Sequence, residues 1–121
     1  MMKNVSKYAI GLSAALIVGC ASVPPPTERI AISKVAIDNA VSAGGTEFAP
    51  AEMRSARDKL ARANVAMAQN DYVNAKWLAE QAQVDADLAA SKARTAQAQK
   101  AAFAVQEDGR VLREELDRKS K

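Results

Sequence analysis

The sequence predicts an all-α fold, either an antiparallel helical hairpin or a three-helix bundle, with a long, projecting, alanine-rich C-terminal helix that resembles one strand of a coiled coil. Two observations carry this prediction. Apolar residues, mostly alanines, recur at alternating spacings of three and four in two stretches of the chain, and no proline follows Pro50. Alternating spacings of three and four keep residues on one face of a helix. The length of 121 residues allows one small domain at most.

The first residues have the pattern of a targeting segment. Lys3 and Lys7 give a positive start, and an uncharged, mostly apolar run follows from Tyr8 to Val18. A membrane-spanning helix needs about 20 apolar residues, so this run is too short to span a bilayer comfortably. We therefore expect residues 1–19 to be a signal peptide that is removed.

The end of this run resembles a bacterial lipobox, in which an aliphatic and a small residue precede an obligatory cysteine. Here Ile17, Val18 and Gly19 lead into Cys20, the single cysteine of the chain. The resemblance implies that Cys20 becomes the mature N-terminus and carries diacylglycerol and an N-acyl chain such as palmitate, which anchors the protein to a membrane. A buried or redox-active thiol is the other interpretation, although one cysteine cannot form a disulfide within the chain.

The residue after the cysteine indicates the destination of such a lipoprotein. In Gram-negative lipoproteins an aspartate at this position commonly retains the protein in the inner membrane, and Ala21 stands here instead. The resemblance therefore implies the periplasmic face of the outer membrane. Removal of Lys3 and Lys7 with the leader changes 17 basic against 14 acidic residues to 15 against 14. This near neutrality, with 4% aromatic residues, argues against a nucleic-acid partner.

A short tether and a first helix follow the cysteine. Residues 20–27 contain three consecutive prolines, which favour a stiff polyproline II segment. We expect Thr27 to cap a helix that runs to about Ala43 and ends at two glycines, followed by a short loop. Its apolar residues form two sets, which predicts contact with more than one neighbour: Ile30, Ile37, Ala40 and Val41 in one, and Ile32, Val35 and Ala36 in the other.

Two further helices are predicted to form the hairpin. The second begins at Pro50 and presents a heptad seam, in which we expect both methionines to be core residues: Ala49, Met53, Ala56, Leu60, Ala63 and Met67. At the corner, Asn70 suits a left-handed conformation and Asp71 an N-cap. The third helix carries a seam of alanines and reaches at least about Asp108, near 55 Å, with Gly109 as its one weak point: Ala75, Ala79, Ala82, Ala86, Ala89, Ala93 and Ala96.

A second apolar stripe lies roughly opposite the alanine seam and contains Trp77, Val84 and Leu88, with Ala102 further on. Two arrangements are open. The first helix covers this stripe, or the stripe is a self-association or partner surface centred on Trp77. Alanine contacts bury little area, so the bundle should be only modestly stable by itself, which favours a partner.

The stretch from Phe48 to Gln99 resembles the bacterial domain of unknown function numbered 4398. It shows an "FAPAE" entry, a "KLARA" helix, a "DYVNA" corner and an alanine-rich "LAEQA" helix. Members are typically envelope lipoproteins or precede a peptidoglycan-binding domain, and the family supplies no catalytic residues. The corner is also similar to part of one tetratricopeptide repeat, but a second copy is absent, and about three are needed for a stable array.

The sequence argues against catalysis. It contains no histidine and no glycine-rich phosphate loop, and we expect no cofactor and no metal site. The neighbouring carboxylates Asp85 and Asp87, like Glu114 and Glu115, are interpreted as solvated charges because residues one or two apart diverge on a helix.

Three functions are therefore considered, with residues 28–108 as the helical domain and 109–121 as a charged helical tail. The leading one is a non-enzymatic outer-membrane lipoprotein that acts as a structural or adaptor protein and pairs with itself or with another envelope protein. The second is a periplasmic binding or chaperone-like module with an apolar face. The third is attachment to peptidoglycan through Lys121, the last residue of the sequence.

Overall fold

A computed structural model describes residues 22–121, whose secondary structure is entirely helical. Its elements are α1 (Thr27–Ser42), α2 (Gly45–Phe48), α3 (Pro50–Ala68) and α4 (Tyr72–Lys119). The predicted all-α class with a long C-terminal helix is confirmed. Helices α3 and α4 form an antiparallel hairpin, and α1 packs against both of them.

The corner between α3 and α4 is closed by local side-chain chemistry. Asn70 adopts a left-handed conformation with φ 58°. The carboxylate of Asp71 then accepts a hydrogen bond of 3.2 Å from the backbone N–H of Asn74 in the first turn of α4. Both features agree with the roles predicted for these residues, and Pro50 likewise stands in the first turn of α3.

The alanine seam of α4 forms the centre of the bundle. The alanines from Ala75 to Ala93 are buried and Ala96 is half-buried. Against them α3 places Met53, Ala56 and Ala63, all buried, with Leu60 and Met67 partly exposed at the edges. Met53 is 1% exposed and is the largest of the fully buried side chains in the described residues. It therefore fills space that alanine side chains leave between the helices.

Helix α1 covers one edge of the hairpin through a narrow stripe. Ala36, Ile37 and Ala40 pack against Ala86, Ala89 and Ala90 of α4. Ser33 is fully buried and donates a 2.9 Å hydrogen bond to the Ile30 carbonyl, which satisfies its hydroxyl. The two predicted apolar sets were too wide, because Val35 and Val41 are exposed. A single 16-residue helix on the edge of a hairpin turns only one side toward it.

The start of α1 differs from the prediction by one residue. Pro26, and not Thr27, occupies the N-cap, and its carbonyl accepts a 3.2 Å hydrogen bond from the Ile30 N–H. Thr27 is the first helical residue. The rigid proline segment therefore joins the helix directly, without a side-chain cap among the described residues.

The two glycines stop α1, as predicted, but the expected loop after them is a short helix. Gly44 adopts φ 85°, and α2 begins at the next residue. Gly45 is buried, and a Cβ there would lie 2.7 Å from the Ala40 carbonyl oxygen. From α4, Gln97 donates a 3.1 Å hydrogen bond to the Ala43 carbonyl. The bend is therefore held against the long helix.

The last part of α4 extends beyond the bundle. The helix has 48 residues, about 72 Å at 1.5 Å per residue, and passes Gly109 without a break. From Ala98 onward every residue is exposed except Gly109, which is half-buried. We call residues 98–119 the projecting segment. It adds about 33 Å of helix, along which Lys100, Ala101 and Ala104 line a depression together with Phe48 of α2.

Candidate functional site

The outward face of α4 is the candidate functional site. Because the alanine seam turns inward, residues about 200° away around the helix turn outward. Trp77, Val84 and Leu88 lie on this face and are 56%, 65% and 46% exposed. Large apolar side chains exposed together on one helix face are typical of contact surfaces.

Helix α1 does not cover this face. It lies on the other side of α4, where Ile30 packs near Leu78 and Ala79. The arrangement in which the first helix covers Trp77, Val84 and Leu88 is therefore wrong. Helix α1 instead packs against Ala86, Ala89 and Ala90. Leu78 and Ala90 are buried beside the alanine seam and were not among the residues predicted to be in the core.

A shallow depression of about 270 Å³ lies beside Trp77, between α3 and α4. Its lining combines apolar, polar and charged side chains: Lys59, Trp77, Glu80, Gln81, Val84 and Asp85. The carboxylate of Glu80 lies 3.7 Å from Arg29 of α1. Leu88 does not line the depression, although it shares the same helix face. The depression is smaller than most small-molecule pockets, which range from about 300 to 1,000 Å³.

Asp85 forms the polar wall of the depression. Its Oδ2 accepts hydrogen bonds from Ser55 Oγ at 2.6 Å and from Lys59 Nζ at 2.7 Å. Burial of Asp85 acts to raise its pKa, but the hydrogen bonds from Lys59 and Ser55 outweigh that effect, and the pKa lies below its ordinary value. The carboxylate is therefore ionised at neutral pH and is bound to α3.

The interpretation of Asp85 as a solvated charge is therefore wrong, whereas Asp87 is exposed as expected. The partners of Asp85 lie 26 and 30 residues earlier in the chain. A contact across two helices leaves no trace in local spacing, so it could not be predicted from the sequence. Glu114 and Glu115 are also exposed and pair within their own helix, with Arg110 and Arg118.

The projecting segment carries a second group of exposed apolar side chains. Five large ones have at least 44% of their surface exposed: Phe103, Val105, Val111, Leu112 and Leu116. The sequence predicts residues 109–121 to be a charged helical tail, and none of these apolar residues is among the predicted contact residues. Extending the spacing of the Trp77 stripe beyond Ala102 would have found Val105, Leu112 and Leu116, since they continue the same alternation of three and four.

The remaining candidate residues lie toward the two ends of the chain. The signal peptide, the lipobox residues Ile17, Val18 and Gly19, and Cys20 lie outside the described residues. Lys121 is described and exposed, two residues after the end of α4. Within residues 22–121 no three Cys, Asp or Glu side chains gather as metal ligands would. None of the helices in that range combines the length and apolar character that crossing a membrane requires.

Comparison with known proteins gives one match. The model of a family described as Domain of unknown function (DUF4398) matches residues 28–105. That range begins in the first turn of α1 and ends within the projecting segment, so it includes the whole bundle and the outward face of α4. No curated protein and no solved structure matches the chain.

Proposed function

The chain belongs to the DUF4398 family, and on that premise we propose that it is a non-enzymatic outer-membrane lipoprotein that acts as a structural or adaptor protein in the periplasm through helix–helix association. Cys20 carries the lipid in this proposal. The bundle stands near the membrane on the proline segment, and α4 provides the surface for association. The partner is a second copy or another envelope protein.

One observation carries the association part of the proposal. The projecting segment holds Val105, Leu112 and Leu116 in water, where they are 71%, 64% and 66% exposed. Burial of a large aliphatic side chain contributes about 1.5–3 kcal/mol. An isolated helix gains nothing from such side chains, whereas a paired helix does. The segment is therefore better suited to contact with another helix than to independent existence in water.

The lipid part of the proposal rests on the lipobox resemblance and is tested separately. The full-length gene is expressed in a Gram-negative host, and the mature N-terminal peptide is analysed by mass spectrometry. We expect a peptide that begins at Cys20 and carries diacylglycerol and an acyl chain, and a protein that sediments with outer-membrane vesicles in a density gradient. An unmodified Cys20, or a Cys20→Ala variant that stays in the same membrane fraction, would contradict it.

The association part is tested by photo-crosslinking in cells. A photoreactive amino acid is placed at Val84, on the outward face of α4, or at Arg54, an exposed position on α3. We expect a discrete crosslinked product from position 84 and none from position 54. Equal products from both positions, or none from either, would argue against association through α4.

The depression beside Trp77 favours a second candidate, a binding or chaperone-like module for an apolar ligand. Its lining combines the apolar side chains of Trp77 and Val84 with charged groups. This function predicts that adding an apolar peptide or dye changes Trp77 fluorescence, and that the change reaches a plateau when the binding site is saturated. A Val84→Asp variant should then lose binding, and a Val73→Asp variant, exposed on the same helix outside the depression, should keep it.

A further inference from the structure

The outward face of α4 carries a regular pattern over its whole length. Residues on this face recur at alternating intervals of four and three from Trp77 to Leu116, which is about 60 Å along the helix. We call this set the outer heptad stripe: Trp77, Gln81, Val84, Leu88, Ser91, Thr95, Ala98, Ala102, Val105, Gly109, Leu112 and Leu116. All of these residues are exposed except Gln81 and Gly109, which are half-buried.

We propose that the outer heptad stripe is a dimerisation seam, on which α4 of a second copy of this chain lies parallel and in register as a two-stranded coiled coil. This inference rests on the proposed function, since it names the partner in the helix–helix association. It also gives the projecting segment its role as the part of the seam that the bundle leaves free.

The period of the stripe supports a coiled coil. A heptad repeat averages 3.5 residues per turn, and two helices follow such a repeat only by winding around each other with a left-handed twist. The alanine seam of α4 has the same period and is buried against α3 and α1. Helix α4 therefore presents two seams of equal period on opposite faces, of which the bundle occupies one.

Charges beside the stripe select the second copy as the partner. In a parallel, in-register pair, the residue just before a core position that ends a four-residue interval faces the residue five positions later on the other helix. This rule places Asp108 against Arg113 of the second copy. It also places Asp87 against Lys92 of the second copy, and this lysine is shared with Glu52 of its own chain. Each contact occurs twice by symmetry. The rule also brings Glu80 near Asp85, but these carboxylates lie close to Arg29 and Lys59 in their own chain.

Asp108 and Arg113 are suited to pairing between chains. Within the described residues neither has an ion-pair partner, although Arg113 Nε donates a 3.1 Å hydrogen bond to the Gly109 carbonyl. Five residues apart on one helix, they lie about 140° apart around its axis and diverge. Their neighbours, in contrast, pair within the helix: Arg110 with Glu107 and Glu114, and Glu115 with Arg118.

The parallel orientation also avoids like charges in the projecting segment. Antiparallel pairing of two projecting segments places Asp108 against Glu115 of the second copy. Antiparallel pairing along all of α4 places Asp87 against the same glutamate but also sets Asp108 against Arg94, so charge-exchange variants distinguish this arrangement from the parallel one. The parallel arrangement instead stacks Val105, Leu112 and Leu116 on their own counterparts, with small residues at Ala102 and Gly109 between them. Residues 98–121 contain nearly equal numbers of acidic and basic residues, so an anionic lipid surface attracts this segment only weakly.

The mass of the full-length chain in detergent, measured by sedimentation velocity over a range of concentrations, tests the seam. We expect a dimer that the double variant Leu112→Asp, Leu116→Asp converts to a monomer. The bundle should keep its helical signal, because both leucines lie outside its core. Val111→Asp is the matched control, since Val111 is 44% exposed in the same segment but off the stripe. A monomeric parent chain, or a double variant that remains dimeric, would overturn the proposal.

Charge exchange tests the orientation. Asp108→Arg and Arg113→Asp, each alone, should weaken the dimer several-fold, because each places like charges at two symmetric contacts. The double variant restores both contacts and should return close to the parent dissociation constant. In an antiparallel pair along all of α4, Asp108 faces Arg94 and Arg113 faces Asp85, so the double variant would be weaker than either single one. That result, or no change in any variant, would refute the parallel seam.

The proposed function and this inference fail in different ways. A monomeric parent chain that still gives a crosslink from position 84 to a different protein preserves the adaptor function and removes the dimer. A dimer with the expected charge response, in a protein whose Cys20 is unmodified, preserves the seam and removes the lipoprotein assignment.

Discussion

Lys59 of α3 and Asp85 of α4 form an ion pair across the hairpin, with 2.7 Å between Nζ and Oδ2. Their side chains are only 24% and 21% exposed, and the same oxygen accepts the Ser55 hydroxyl. An alanine seam is nearly uniform along its length, so a shift of one heptad would change its packing little. We therefore interpret this polar contact, together with the second ion pair between the same helices, Lys92 with Glu52, as what selects the register of α3 against α4.

Replacement of Asp85 by Asn should lower the free energy of unfolding by about 1–2 kcal/mol at neutral pH, since it removes hydrogen bonds to a charged acceptor. The pKa of Asp85 is lower in the folded state than its ordinary value. Its ionised form therefore stabilises the fold above about pH 4, and this contribution disappears as the pH falls through the folded-state pKa. The Asn variant should accordingly change less in stability between pH 7 and pH 3 than the parent chain.

Urea unfolding followed by circular dichroism at the two pH values measures this difference. Asp87→Asn is the matched control, because Asp87 lies two residues away on the same helix and is exposed. Its stability and its pH dependence should match those of the parent. Identical pH profiles for the two Asn variants would show that the contact with Lys59 and Ser55 does not stabilise the hairpin.

Truncation of Met53 to Ala should cost about 2–5 kcal/mol in unfolding free energy, because it leaves a cavity among small side chains that cannot collapse to fill it. Met53 is 1% exposed, and the alanines around it have no alternative rotamers. Met67→Ala, at the partly exposed end of α3, should cost less. Thermal unfolding of both variants checks the order, and an equal loss would contradict the central position of Met53.

Enlargement of the seam should also be harmful. Ala86 is fully buried where α1 and α3 both meet α4, and Ala86→Leu should cost about 1–3 kcal/mol or force the helices apart. Ala61→Leu, at an exposed position of α3, should leave the free energy of unfolding almost unchanged. The shift in the denaturant midpoint measures the effect, provided that the slope of unfolding free energy against denaturant concentration is unchanged. A neutral Ala86→Leu variant would mean that the seam is looser than the burial of its alanines indicates.

The glycines should respond in opposite directions to alanine. Gly44→Ala should destabilise by about 1–2 kcal/mol, since its φ of 85° is unfavourable for a residue with a Cβ and the new atom would lie 2.9 Å from Gln97 Nε2. Gly109→Ala should stabilise the helix by up to about 1 kcal/mol, because its Cβ meets only Arg113, at 3.8 Å. The helical circular dichroism signal and the melting temperature measure both effects. A stabilising Gly44→Ala variant would contradict the bend after α1.

Local chemistry explains why much of the fold could be predicted from sequence. The buried alanines of α4 recur every three or four residues, and Pro50, Asn70 and Asp71 act within a turn of their own positions. Helix boundaries, the corner and the two faces of α4 depend on such short-range patterns. The same periodicity places Trp77, Val84 and Leu88 opposite the alanine seam. They are exposed because α1 packs elsewhere on the hairpin.

The position of α1 could be decided only by tertiary structure, because two apolar sets on one helix do not show which set meets the hairpin. The burial of Ser33, the exposure of Val35 and Val41, and the hydrogen bond from Gln97 to Ala43 all follow from that placement. The ion pair between Lys59 and Asp85 belongs to the same class. By itself the sequence determined the helices and the inward alanine seam, because helical periodicity depends on residues only three or four positions apart. Contacts between residues 26 to 54 positions apart were decided by packing, because they exist only after the helices meet.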